Sequence, residues 1–115
     1  MLTLICTKTW GTCRKAVALL NDKKIVHAYR EYKKTPLSQS EIKVLLKQLD
    51  TPANHLLRKR DKAYKELALT GDESDEHLIP LIAQNPTLLQ RPIAVFNNKA
   101  VVGRSIEKII SLVED

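Results

Sequence analysis

Cysteine and aromatic residues are scarce in this sequence, long apolar runs are absent, and each shortage removes a class of function. Only Cys6 and Cys13 carry thiols in 115 residues. In a chain of this kind they read as buried thiols or redox groups rather than a structural disulfide. Two thiols without a histidine cluster make a poor zinc site, and His27, His55 and His77 share no ligand spacing, so no metal is expected. They read as surface or core histidines, with His55 beside Arg58. Polar and apolar residues alternate after Met1, and no later stretch is apolar enough for a signal peptide or a membrane span. The expectation is a cytoplasmic protein with no membrane partner. Aromatics make up 4% of the chain, and none is interleaved with the basic clusters Lys23-Lys24, Lys33-Lys34 and Arg58-Lys59-Arg60. Stacking on single-stranded bases is thereby excluded, and no direct nucleic-acid partner is expected. Internal repeats and low-complexity segments are also missing. What the chain has is a formal charge of +6, which suits an acidic partner, a small anion or a merely solvated surface.

At this length one compact domain with one core is expected over residues 1–115. Residues 2–6 alternate as a strand, and Ala16, Val17, Leu19 and Leu20 then switch to helical spacing. Residues 25–32 read as a second strand. Ser38 and Glu41 form a capping box for a helix over 38–49, which Thr51-Pro52 ends. From 52 to 86 only helical signals occur, at 53–58, 63–69 and 75–84, the last capped by Ser74 and expected to kink or divide at Pro80. Residues 92–96 and 100–102 read as strands joined by an Asn97-Asn98 hairpin turn, and 106–113 as a closing helix. The order predicts an α/β, thioredoxin-like fold: a four-stranded mixed sheet with a helical insertion between strands 2 and 3.

Trp10-Gly11-Thr12-Cys13-Arg14-Lys15 sits where the first strand hands over to the first helix, the place where thioredoxin-fold reductases hold a reactive cysteine. Further landmarks follow in order. They are Leu56-Leu57-Arg58, Tyr64-Lys65-Glu66-Leu67, Asn85-Pro86, Leu89-Gln90-Arg91-Pro92-Ile93 and Gly103-Arg104. Together these motifs resemble the ArsC and Spx family of thioredoxin-fold proteins over nearly the whole chain.

The resemblance implies an arsenate reductase-like thiol oxidoreductase. In such members a thiolate attacks the arsenic oxyanion, three arginines hold it, and glutathione with glutaredoxin removes the adduct; no bound cofactor is implied. Matched by motif, the arginines are Arg58, Arg91 and Arg104. Guanidinium forks suit a tetrahedral oxyanion and favour a neighbouring thiolate, and the amides of Gly11 and Thr12 at the helix start would add donors. The other reading of the arginines is surface charge, or for Arg91 a cap on the preceding carbonyls. The resemblance also implies a cis peptide bond before Pro92, against an ordinary trans proline opening an edge strand. The family's nucleophile falls on Trp10, where an indole cannot attack arsenic. That indole either covers apolar surface, narrows entry to an anion pocket or anchors a partner. Cys13 matches the second cysteine of the CxxC in Spx-type members. Three readings of the thiols stand open: Cys13 as a relocated nucleophile, Cys6 and Cys13 as a reversible pair, or both as small buried hydrophobes. The rival function is an Spx-like regulator that binds the RNA polymerase α subunit; the third is an inactive relative that keeps the oxyanion pocket.

Overall fold

The computed structural model describes residues 2–7, 11–103 and 106–114. By proximity the chain divides into two compact units, residues 1–35 with 91–115, and residues 36–90. The second unit, from Pro36 to Gln90, takes in the capped helix as well as the stretch from 52 to 86.

The first unit is built on β1 (Leu2–Cys6), α1 (Gly11–Asp22), β2 (His27–Glu31), β3 (Ile93–Phe96), β4 (Lys99–Val102) and α5 (Ile106–Glu114). Its sheet runs in the order β2-β1-β3-β4. β1 lies parallel to β2, with Leu2 opposite His27 and Cys6 opposite Glu31. On its other side β1 is antiparallel to β3, and β3 to β4. This mixed four-stranded sheet is the one predicted. A parallel neighbour needs a crossover, which α1 provides. The antiparallel pair needs only a tight turn: Asn97 and Asn98 take φ of 49° and 65°, the left-handed values of a type I′ hairpin, which asparagine tolerates well.

Alternation along β1 sends Leu2, Leu4 and Cys6 to one face, while α1 presents Cys13, Ala16 and Leu20 at helical spacing. These six side chains close one core with Ala94, Ile109 and Ile110. β2 begins two residues later than the alternation suggests. The chain leaves α1 through Lys24 at φ 58°, and the Ile25 amide still donates to the Leu20 carbonyl at 2.9 Å. Ile25 thus belongs to the helix end rather than to the sheet.

Gly103 leads into α5 at a point where no side chain fits. A Cβ there would lie 2.6 Å from Ile109 Cδ1 and 2.7 Å from its Cγ1, and Ile109 is fully buried. Gly103→Ala is expected to destabilise the protein by about 1–3 kcal/mol through overpacking. A lower urea midpoint at unchanged slope would show it; an unchanged midpoint would mean that Ile109 finds another rotamer at no cost.

The second unit holds α2 (Gln39–Leu49), α3 (Lys62–Glu66) and α4 (Asp75–Gln84), with short 3-10 turns at Ala53–Leu56 and Pro86–Leu88. The capping box forms as expected: Ser38 Oγ accepts from the Glu41 amide at 3.2 Å, and Glu41 Oε1 accepts from the Ser38 amide at 3.0 Å. α2 buries Ile42, Leu45 and Leu46, and α4 buries Leu78, Ile79 and Ile82. Two expectations are corrected here. α4 is not divided at Pro80 but runs through it as one helix. The proline lacks the N–H that would reach the carbonyl of Glu76, an exposed residue, while the buried leucine and isoleucines hold the helix in place. The helix expected over 53–58 stops early. Leu57 turns extended, at φ −76° and ψ 135°, and bridges to Leu89, the Arg58 amide reaching the Leu88 carbonyl at 2.7 Å.

Candidate redox and anion site

Cys6 ends the central strand and Cys13 is the third residue of α1, so the strand-to-helix connection brings back two residues that are seven apart. They are joined as a disulfide, with Cα atoms 5.8 Å apart, inside the range such a bond spans. Of the three readings open from the sequence, this structure holds the paired one. The bond follows from a strand end facing the first turn of the next helix, and spacing alone does not show how closely the two approach. Both side chains are 0% exposed. The Thr7 amide donates to Cys13 Sγ at 3.4 Å, and the first turn of α1 holds no acidic residue. Amides at the start of a helix lack partners within it and favour negative charge. A Cβ on Gly11 would lie 4.0 Å from Arg14 Nη2, so a guanidinium lies near this end of the helix.

The Tyr32 amide continues the β1–β2 pairing by donating to the Cys6 carbonyl at 3.2 Å. Its phenol oxygen accepts from Arg91 Nη1, and the Arg91 guanidinium carbon stands 6.0 Å from the Tyr32 ring centre, at the outer edge of a cation–π contact. Arg91 precedes the cis bond to Pro92, the isomer that the resemblance implies, and the Pro92 carbonyl accepts from the Gly103 amide at 2.8 Å. Within this unit, then, Cys6, Cys13, Tyr32 and Arg91 are linked by one covalent and two hydrogen bonds. Tyr32 escaped the sequence reading; its only signal there was a large aromatic at the end of a strand.

Tyr29, on the same strand, has its phenol pushed up to about 12, first by burial, then by the charge of Glu31, then by Tyr32. The folded chain therefore keeps this proton longer than the unfolded one. Stability from this group is fully present below about pH 10, the unperturbed tyrosine value, and is lost as the pH rises toward 12. A phenolate absorbance titration is expected to show a step near pH 12 that Tyr29→Phe removes. If all tyrosines in the folded protein titrate together near 10, the assignment is wrong.

Arg58 belongs to the second unit. Its Nη1 donates to Asp61 Oδ1 and to the Thr87 carbonyl, each at 3.2 Å. Asp61 also accepts from the Ala63 amide and the Thr87 hydroxyl, each at 3.0 Å, so one carboxylate caps α3 and holds the arginine. Sequence motifs gave no sign of this internal counter-charge. His55 Nδ1 lies 3.0 Å from Thr51 Oγ1, and its carbonyl accepts from Gln90 at 3.0 Å. His27 Nδ1 lies 3.0 Å from the Ile25 carbonyl. Trp10 and Arg104 lie outside the described residues. Among the described residues, no group of three His, Cys, Asp or Glu is placed to hold a metal ion, and no helix is long and apolar enough to cross a membrane.

Known proteins offer three comparisons. Residues 6–112 match the model of the ArsC family. The chain is 38% identical to the arsenate reductase of Neisseria meningitidis serogroup A, over 90% of this chain and 87% of that relative. It is 33% identical to the global transcriptional regulator Spx of Streptococcus mutans, over 95% of this chain and 80% of that one. Among solved structures, the arsenate reductase from Vibrio cholerae superposes with a TM-score of 0.89 at 30% identity, covering 96% of this chain and 95% of the other.

Proposed function

Since the chain belongs to the ArsC family, we propose that it is an arsenate reductase-like thiol oxidoreductase in which Cys13, once reduced, attacks an oxyanion held by arginine. The observation that carries this reading is the Thr7 amide on Cys13 Sγ at the first turn of α1. There the backbone stabilises a thiolate, the form of cysteine that attacks. Arg91, set by Tyr32 ahead of the cis proline, is an oxyanion ligand carried by the same unit as Cys13. Arg58 and Arg104 are the other arginines of the motif. In this proposal Arg58 has to leave, or share, its pairing with Asp61. Glutathione or glutaredoxin is the proposed reductant and a small oxyanion the substrate.

Calorimetry with arsenate on the reduced protein tests the reading. Arg91→Ala is expected to weaken binding roughly ten- to a hundredfold, the value of one charge-assisted contact to an anion. A parent that shows no heat with arsenate, or an Arg91→Ala variant that binds as tightly as the parent, would sink it.

A second reading has its own observation. Identity to the Spx regulator extends over 95% of the chain, which supports binding to the RNA polymerase α subunit in place of catalysis. Specific capture of that subunit by this protein, with no arsenate heat, would favour it.

A further inference from the structure

We propose that Cys6 and Cys13 form a reversible dithiol–disulfide couple in which Cys13 is the attacking thiolate and Cys6 the resolving thiol. The assignment of Cys13 rests on the function proposed above; the couple itself is tested without it. Two features of the site make the pair unequal. Cys13 Sγ has a backbone N–H donated to it at 3.4 Å and sits in the first turn of a helix free of acidic residues there, so a negative charge on this sulfur is stabilised. Both sulfurs belong to one apolar cluster with Leu2, Leu4, Ala94 and Ile109, which stabilises no charge, so the amide and the helix start are what set Cys13 apart from Cys6, at the end of β1. A low-energy thiolate is both the more populated attacker and the better leaving group. The Cα separation of 5.8 Å lets the bond form on this backbone without rearrangement.

The chemistry balances with this chain supplying both electrons. The Cys13 thiolate attacks arsenic(V), and one arsenate oxygen departs as water with protons taken from solution, leaving a bond from Cys13 sulfur to arsenic. The Cys6 thiolate then attacks Cys13 Sγ. The sulfur–arsenic bond breaks with its pair remaining on arsenic, giving arsenic(III) and the disulfide of this structure. A low-molecular-weight thiol restores the pair: it attacks Cys6 Sγ and expels the Cys13 thiolate, and a second such thiol attacks the outer sulfur of that adduct, releasing the Cys6 thiolate and leaving joined to the first as their disulfide. Burial of both side chains slows each entry from solvent and does not alter this order.

The experiment uses the full chain, reduced, desalted and folded, with glutathione disulfide as the probe, acid-quenched alkylation and mass spectrometry. The parent is expected to lose both thiols and gain the internal disulfide, which reduced glutathione reverses. Cys6→Ser is expected to stop at glutathione bound to Cys13, and to form that adduct at least about tenfold faster than Cys13→Ser forms one on Cys6, the thiolate fraction setting the rate. Cys6→Ala provides the same trap if serine is not tolerated in the core. A pair that stays inert until the protein unfolds is a fixed crosslink and overturns the proposal. Equal trapping at the two positions overturns the assignment of roles. One equivalent of arsenate, with no added thiol, separates the two levels: two thiols lost per arsenite formed supports both. A couple that cycles with glutathione and ignores arsenate removes the arsenate reductase reading and leaves the couple standing.

Discussion

Trp10→Cys is expected to raise glutathione-dependent arsenate reduction on the order of a hundredfold over the parent, since it supplies a nucleophile where the family pattern places one. The reasoning is positional. In the family pattern that the sequence matches, the nucleophile falls on this position, one residue ahead of the first residue of α1 (Gly11–Asp22). Cys13 is 0% exposed, which slows the approach of any substrate to it. Tryptophan offers neither a thiolate nor a group that accepts an arsenic bond. A gain of activity measured by arsenite release would mean that the oxyanion pocket is intact and that the parent is limited by its nucleophile. No gain, in a variant that still binds arsenate, would place the limit in the reductant's access; no gain together with no binding would mean that the arginines do not form the pocket. A parent already as fast as the variant would assign the chemistry to Cys13 and leave Trp10 as a cover.

The elements that were legible in the sequence are those fixed by local chemistry. Ser38 with Glu41, Ser74 ahead of α4, and Asn97-Asn98 each satisfy backbone groups or permit a φ within a few residues, so the residues themselves announce the element. At Pro80 one of the two expected outcomes, division of the helix, does not occur, for the complementary reason. Its local cost is real, but three buried side chains on the same helix outweigh one lost hydrogen bond. The site was legible only in its residue types. Cys6 and Cys13 were singled out, yet their bond depends on how a strand end meets a helix start. Arg58 is legible as the arginine of the Leu56-Leu57-Arg58 motif, yet Asp61, three residues on, already holds it. Tyr32 was passed over, because nothing in a sequence says that a buried phenol will receive an arginine 59 residues away.

That phenol makes the final prediction separable into two parts. Tyr32 is 1% exposed and among the largest fully buried side chains. Tyr32→Ala is expected to cost about 3–5 kcal/mol in urea unfolding, the usual range for emptying a buried aromatic site. Tyr32→Phe keeps the ring, its packing and its face toward Arg91, and removes only the acceptor of the Arg91 Nη1 hydrogen. Its expected cost is about 1.5–3 kcal/mol, the value of a hydrogen bond to a charged group. The two variants therefore differ in what they say about function. If the phenylalanine variant unfolds at a lower midpoint but binds arsenate as the parent does, the hydroxyl is part of the fold alone. If it binds several-fold more weakly at a temperature where it is fully folded, the hydroxyl sets the direction of the guanidinium, and the β2 end, through the Tyr32 amide on Cys6, ties anion binding to the redox pair. A phenylalanine variant as stable as the parent would mean that the arginine finds an equal acceptor in water, and that the contact contributes nothing to either.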